Sequence, residues 1–360
     1  LGQNLPNGKF CPNILLFFLL RVGWGMDYYI IMKRVGLIFG GIGNEANVSI
    51  DSAVNIINNF DYKKYKLFLI YWHQNGFFYN LKNFSEIKKV KKLKSVMIEQ
   101  LKKIIDIAFP ITHGRFGEDG ILQSLFESQK IKYCGCHVLS SALCMDKAIF
   151  KEYLAGHNLN QTKFAILDFK KFNKELIFKN LKDIKKFFRL PLFIKPANSG
   201  SSVGVSKVKN FSDLNMAIKN ALKYDDKIII EEGVTKHREI EMAVLGNKSL
   251  IISDPGELKP ANEFYDYVDK YQLNKTIITV PAQLSKGLIK KIKILTEKVY
   301  RLCDCSGFAR IDFFLKNNQF FINEVNTLPG FTNISMFPRL MMKEGFTYKE
   351  LINKIIKLAY

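Results

Sequence analysis

Residues 307–332, GFARIDFFLKNNQFFINEVNTLPGFT, constrain this chain more than any other stretch. They read as two strands joined by a short polar turn. A strand has a side-chain period of two, so Arg310 and Asp312 share one face, as do Glu324 and Asn326. Apolar residues in both strands anchor them in a core. Two carboxylates and a carboxamide then converge on one spot, beside an arginine. For Asp312 and Glu324 to face the same side of a hairpin, paired residue numbers must sum to an even value. That demands an odd-length loop or a bulge around residues 316–319, where Asn317 and Asn318 tolerate left-handed backbone geometry. An all-oxygen ligand set of this kind suits Mg²⁺, a hard cation that takes few protein ligands and keeps waters. Phosphate oxygens would complete the coordination, so the pattern points to a nucleotide. Taken alone, it fits an ordinary surface hairpin as well.

Composition narrows the choice. A chain of 360 residues, 48% hydrophobic and with 30 Phe, can bury substantial cores in two or three domains. The net charge of +21 comes mostly from lysines spread along the whole length, with no Arg-rich block or aromatic-interleaved basic repeat. It reads as a solvated surface that also attracts an anionic substrate such as ATP, and not as a nucleic-acid or membrane surface. Of the six cysteines, neither Cys134/Cys136 nor Cys303/Cys305 has zinc-ribbon spacing. Cys134-Gly135-Cys136-His137 reads as a strand end with buried thiols, which fits a reducing cytoplasm. The apolar run at 14–20 is too short to span a bilayer, and no clear signal-peptide cleavage site follows it. Residues 1–32 read as an extension of uncertain status, and the globular pattern begins at Lys33.

Along the chain, strands are expected at 35–39, 66–72, 104–109 and 131–134, with helices at 46–60 and 121–129. The Gly-rich turn at 40–43 lacks G-x-G-x-x-G spacing, so it is a weak dinucleotide signal. Glu45, at the start of the following helix, could complement the helix dipole or hold an ammonium group. His113 lies in a Gly-rich loop after the third strand, where open α/β sheets bind ligands. A helix over 140–155 carries Asp146 and Lys147. Strands at 162–167 and 191–195 flank a helix at 180–188. The segment KPANSGSSVGVSK, residues 195–207, is built of small residues whose N–H groups can cradle a phosphate, with Lys195 before it. It is not a Walker A motif. A strand at 227–231 ends in Glu231-Glu232, where a carboxylate could accept from an adenine amino group or a ribose hydroxyl. Another strand, at 238–245, puts Glu239 and Glu241 on one face. Residues 263–271, dense in aromatics and charges, read as a lid. Helices at 288–302 and 347–359 follow.

These pieces, in this order, resemble the ATP-grasp superfamily and, more narrowly, the D-alanine–D-alanine ligases. The resemblance covers residues 35–360 and rests on GGIGNEANVS, HGRFGEDG, SALCMDK, IKPANSGSSVGVSKV, REIEMAVLG, FYDYVDKY, GFARID and NEVNTLPGFTNIS. It implies an α/β (α+β overall) ATP-grasp fold: an N-terminal Rossmann-like parallel-sheet domain at 33–136, a central subdomain at 137–236 and a C-terminal subdomain at 237–360. Two ATP-grasp subdomains would enclose the nucleotide.

By matching positions, Glu45 would bind the first D-alanine's ammonium with His113 nearby, and Lys147 and Lys195 would contact ATP phosphates. Glu231 would meet the adenine, Glu239 the ribose and Lys270 the γ-phosphate, with Ser202, Glu232 and Val234 also on the nucleotide. Arg310 and the Gly330 backbone would stabilise the tetrahedral oxyanion. Asp312, Glu324 and Asn326 would hold two Mg²⁺, with Mn²⁺ a substitute. Ser335, with Met336 beside it, would bind the second D-alanine's carboxylate. Glu45, Ser201 and Tyr271 match a hydrogen-bonded set that links the first-substrate site, the phosphate loop and the lid. Asn47 stands where many members carry a second acid, and Glu232 where a lysine is common.

The resemblance implies a cytoplasmic cell-wall enzyme with small-molecule substrates, D-alanine and ATP, and leaves room for a homodimer. An ATP-grasp ligase with a D-lactate acceptor is the alternative, against which Tyr271 argues. A basic nucleic-acid-binding protein is a remoter one.

Overall fold

The computed structural model describes residues 32–43, 45–259 and 277–360, and Lys33–Tyr360 forms one compact unit. Its first sheet comprises β1 (Lys33–Gly40), β2 (Tyr65–Trp72), β3 (Phe78–Leu81), β4 (Ile107–Pro110) and β5 (Lys132–Tyr133), in the order β3-β2-β1-β4-β5. β1, β2, β4 and β5 are parallel and β3 is an antiparallel edge. Six consecutive residues of β1 are buried, as a strand covered on both faces requires. Helices α1 (Ala46–Asn58), α2 (Ile98–Ile104) and α3 (Ile121–Ser128) complete this layer. Ser49 of α1 ties two strand ends together: its Oγ accepts from Gly40 N at 2.9 Å and donates to Ile111 O at 2.7 Å. The loops at the carboxyl ends of β1 and β4 are thereby fixed to the helix that starts at Glu45.

The middle of the chain forms α4 (Val138–Met145), α5 (Lys147–Gly156), β6 (Phe164–Asp168), α6 (Lys174–Asn180), α7 (Ile184–Phe187), β7 (Leu192–Pro196), β8 (Ser206–Val208), α8 (Leu214–Ala221) and β9 (Lys227–Glu232). Its strands make an antiparallel sheet, β6-β9-β7-β8, packed on α8. The helix expected over 140–155 is two helices. Asp146 leaves helical geometry at φ −78°, ψ 94°, ends α4 and caps α5, its Oδ1 accepting from Ala148 N and Ile149 N at 3.1 Å each. The helix expected over 180–188 is likewise two short pieces, α6 and α7, joined through a 3-10 turn.

The last sheet is antiparallel and built on β10 (Arg238–Gly246), β11 (Leu250–Ile252), β12 (Gly256–Lys259), β13 (Ile277–Thr279), β14 (Phe308–Lys316) and β15 (Gln319–Asn326). α9 (Lys286–Leu302), α10 (Met336–Lys343) and α11 (Tyr348–Leu358) pack around it. The first and last sheets share one core. The rings of Phe109, Phe308 and Phe331 meet edge to face at 5.7–6.4 Å, among side chains of α1, α10 and α11. Burial of large side chains of this kind stabilises by about 1.5–3 kcal/mol each. Among the described residues, no helix is long and apolar enough to cross a membrane. Cys134, Cys136, Cys144, Cys303 and Cys305 are all buried free thiols.

Candidate active site

A cleft of about 500 Å³ is lined by the middle and last sheets and by the loops and α1 of the first layer. Its floor is the hairpin β14–β15. The turn has only two residues, Asn317 and Asn318, both left-handed at φ 49° and 61°, with Lys316 paired to Gln319. The even-sum register comes from a bulge deeper in the hairpin. Phe313 pairs with Ile322, but Asp312 pairs with Glu324, which leaves Asn323 as the extra residue. The bulge resets the alternation of β15: Phe320, Ile322 and Val325 are buried, while Glu324 and Asn326 line the cleft opposite Asp312 and Arg310. The bulge expected at 316–319 therefore lies nearer the site, where it re-aims two side chains.

Arg310 is the hub of this floor. Its Nε and Nη2 donate to Asp312 Oδ1 and Oδ2 at 2.8 Å each, and Nε also lies 2.9 Å from Glu241 Oε2. Asn326 Nδ2 donates to Asp312 Oδ2 at 3.0 Å. Burial disfavours the guanidinium charge, but Asp312 and Glu241 outweigh that penalty and raise the Arg310 pKa well above its ordinary value. Glu241 is buried directly opposite Asp312 in the β10–β14 ladder. The alternation of Glu239 and Glu241 was readable in the sequence, but nothing there showed which charge Glu241 would meet.

One wall is built around Glu45, which precedes α1. Its carboxylate accepts a hydrogen bond from Ser201 Oγ, so the first layer and the phosphate-type loop meet at one side chain. Both loops must come close for this. A Cβ on Gly114, whose φ is +67°, would collide with Glu45 Oε2, and one on Gly200 would lie 3.1 Å from the same oxygen. His113 is buried, its Nδ1 donating to Leu328 O at 3.1 Å with Glu118 Oε1 3.9 Å away. Its Nε2 has no partner among the described residues. Burial alone would lower the imidazole pKa, but nearby Glu118, then the charge of Glu45 and the hydrogen bond to Leu328 O, raise it. Asn47 is exposed on α1.

The opposite wall holds the lysines. The break at Asp146 turns Lys147 toward the loop, where its Nζ donates to Ser199 O at 2.8 Å and its N–H to Ala197 O at 3.0 Å. Ser201 and Ser202 are left-handed at φ 46° and 60°, and Asp225 anchors the loop's base through Asn198 N and Nδ2, both at 2.9 Å. Lys195 Nζ donates to Glu231 Oε2 at 2.8 Å, and Lys151 Nζ lies 3.5 Å from Glu231 Oε1. The Glu231 carboxylate, expected on the adenine, is thus held between two lysines. Glu232, also on the cleft lining, accepts from Arg189 N at 3.1 Å. Val234 O accepts from His237 Nδ1, and His237 Nε2 lies 3.5 Å from Glu239 Oε1. Lys151 and His237 were missed in the sequence. A lysine four positions after Lys147 reads as helix surface, and His237 belongs to no recognised motif.

The loop after β15 closes the site. Ser335 Oγ accepts from Thr332 N at 3.0 Å and lies 2.8 Å from where a Gly330 Cβ would stand. Met336 is buried against Gly256 at the start of α10. Phe331 is pinned on both sides: its N–H donates to Ser52 Oγ at 3.2 Å, and its carbonyl accepts from Asn55 Nδ2 at 2.8 Å and Tyr348 OH at 2.6 Å. Lys270 and Tyr271 lie outside the described residues.

Among the described residues, no group of three or more His, Cys, Asp or Glu is arranged to hold a metal by itself. Asp312, Glu324 and Asn326 offer two carboxylates and an amide on one face, all oxygen donors. That set fits Mg²⁺ if phosphate oxygens and water complete the shell.

Three layers around a cleft with paired lysines, a small-residue loop and an acidic hairpin floor define the ATP-grasp class of ligases. Residues 34–136 match the family model for the D-ala D-ala ligase N-terminus, and 154–357 that for the C-terminus. A D-alanine–D-alanine ligase of Caldicellulosiruptor bescii is 40% identical over 351 residues, covering 91% of this chain and 94% of that one. Among solved structures, the VanG D-Ala:D-Ser ligase of Enterococcus faecalis aligns with a TM-score of 0.81 at 32% identity, covering 91% of this chain and all of that one. The D-alanine–D-alanine ligase of Coxiella burnetii aligns at 0.77 and 31%, covering 91% and 95%. The chain belongs to the D-alanine–D-alanine ligase family, whose members are ATP-dependent.

Proposed function

We propose that the cleft joins two D-alanines through a D-alanyl phosphate, at the expense of ATP, for peptidoglycan precursor synthesis. The observation that carries this reading is the Glu45–Ser201 bond. It puts a carboxylate suited to an amino acid's ammonium against the loop suited to phosphates, in one cleft with Arg310. A carboxylate is a poor acylating agent, and phosphorylation makes it one that an amine can attack.

In this scheme Glu45 and His113 hold the first D-alanine, and Lys147, Lys195 and the N–H groups near Ser202 take the phosphates. Glu232, Val234 and Glu239 line the adenosine end, and Glu231 holds Lys195 beside it. Mg²⁺ ions on Asp312, Glu324 and Asn326 would neutralise charge on the transferring phosphoryl group. Arg310 and the Gly330 N–H stabilise the oxyanion formed when the second amine attacks. Ser335, beside Met336 at the start of α10, receives the acceptor's carboxylate. By the family match alone, Lys270 would serve the γ-phosphate and Tyr271 a lid that keeps water from the acyl phosphate.

We read 33–136, 137–236 and 237–360 as the three domains and the cytoplasm, where ATP is made, as the compartment. A homodimer is compatible with this reading.

The two half-reactions should separate. With ATP, Mg²⁺ and D-alanine, added hydroxylamine should yield D-alanine hydroxamate. Ser335→Ala should keep most of that trapping while dipeptide falls by about tenfold or more, since only the acceptor's partner is lost. Lys195→Met should lose both products. Equal loss of both products in the two variants would refute this division of roles. Running D-serine and D-lactate as acceptors beside D-alanine, with ADP release as the readout, decides acceptor choice.

A further inference from the structure

Lys151 has no part in the scheme above, and its setting is unusual for a lysine. It sits on α5 one turn after Lys147, and its side chain is 2% exposed. Its Nζ donates to Thr162 Oγ1 at 2.8 Å and lies 3.5 Å from Glu231 Oε1. The other oxygen of Glu231 accepts from Lys195 at 2.8 Å. One buried carboxylate therefore holds two lysines, one on each oxygen.

The two lysines are not equivalent. The Lys195 side chain is 15% exposed and lines the cleft, whereas Lys151 does not reach it. An arriving triphosphate offers Lys195 more negative charge than Glu231 does, so Lys195 is drawn to the phosphates. Were it the only partner of Glu231, its departure would strand a buried carboxylate, and a stranded buried charge is strongly destabilising. Lysine and carboxylate would hold each other, and the phosphates would have to compete against that bond.

We propose that Lys151 is a positioning residue, the standing counter-ion of Glu231 that frees Lys195 to move onto the nucleotide's phosphates. The inference rests on the reading of Lys195 as a phosphate ligand. Lys151 acts only through Glu231 and touches no substrate. Without it, Lys195 stays with Glu231 and the phosphates lose a contact, while the adenosine end of the cleft is unchanged.

The experiment compares the affinities of a non-hydrolysable ATP analogue and of adenosine, by calorimetry, across a double-mutant cycle. Lys151→Met should weaken the triphosphate by about tenfold or more and adenosine by less than about threefold. In the Glu231→Gln background, where no carboxylate competes for Lys195, adding Lys151→Met should change triphosphate affinity by less than about threefold. That double variant buries no unpaired charge, so it provides the comparison even where Lys151→Met alone folds poorly. A merely structural lysine would instead lower both affinities and the melting temperature alike, in both backgrounds. Equal losses in the two backgrounds, or an unchanged ratio of the two affinities in Lys151→Met, would overturn the proposal. Lys195→Met separates the two levels. If it too leaves triphosphate affinity intact, the phosphate-ligand reading fails. If it alone weakens the triphosphate, only the role of Lys151 fails.

Discussion

Single side chains here act through the approach distances that their neighbours allow. A Cβ on Gly114 would displace Glu45 Oε2, and one on Gly200 would crowd it, while Ser201 holds the other oxygen. Gly114→Ala would add both a clash and a left-handed strain, so it should cost ~1–3 kcal/mol of stability. It should also raise KM for the first D-alanine by about tenfold while leaving KM for ATP within about twofold. Steady-state kinetics with each substrate varied in turn would check this, and an equal rise in both constants would contradict it.

Glu231 gives a pH prediction. Burial acts to raise its pKa, but Lys151 and then Lys195 outweigh burial and hold it down from the ordinary 4.5 to about 2. A carboxylate with a depressed pKa favours the folded state when ionised. Its contribution is full above about pH 4.5 and is lost as the pH falls toward 2. Urea unfolding of Glu231→Gln should therefore show a shallower loss of stability than the parent between pH 4.5 and 3; parallel curves would refute it. The strand end and the family resemblance named Glu231 as a site residue, but its partner Lys151 stayed hidden, since which helix face packs on a strand is set by tertiary packing and not by sequence spacing.

At the scale of elements, breaks and bulges do more to place the site than regular structure does. Asp146 separates α4 from α5, caps the second, and pairs with Lys227 through Oδ2 at 2.6 Å. Loss of an N-cap of this type costs ~1 kcal/mol. Asp146→Ala should thus lose ~1–2 kcal/mol in urea unfolding. Because α5 starts at Lys147, KM for ATP should also rise severalfold, and an unchanged KM would show that the cap does not orient Lys147. Periodicity ran through 140–155 without a gap, and only the Asp-Lys pair marked the new start. The bulge at Asn323 was half legible. The shared face of Asp312 and Glu324 required an extra residue somewhere, but two asparagines at the turn offered an equally good place for it. Burial of Val325 beside Ile322 settles the matter.

For the whole molecule, the order of strands and loops was readable because GGIGNEANVS, HGRFGEDG and IKPANSGSSVGVSKV follow strand ends, where α/β and ATP-grasp sheets put their chemistry. What sequence did not show is that the first and last sheets share a core, since Phe109 and Phe331 are far apart in the chain. The matched family regions begin at residue 34, and Lys33–Tyr360 is compact by itself. A chain lacking residues 1–31 should therefore fold, melt within about 3 °C of the full chain and keep its turnover within about twofold. Loss of folded, active protein on truncation would contradict this.

Helix α1 begins beside Glu45 and, further along, grips the Phe331 peptide through Ser52 and Asn55. Seven residue steps separate Glu45 from Ser52, roughly 10 Å of helix at 1.5 Å per residue. A rod of that length does not stretch, so under the proposed scheme it would work as a gauge block between the place for one reactant and the loop that receives the other. The gap between them is then quantised in residues. Widening it needs a whole added residue, which would also turn Ser52 by about 100° and release its hold. Evolution toward a bulkier acceptor would accordingly leave this strut alone and carve the loop it supports.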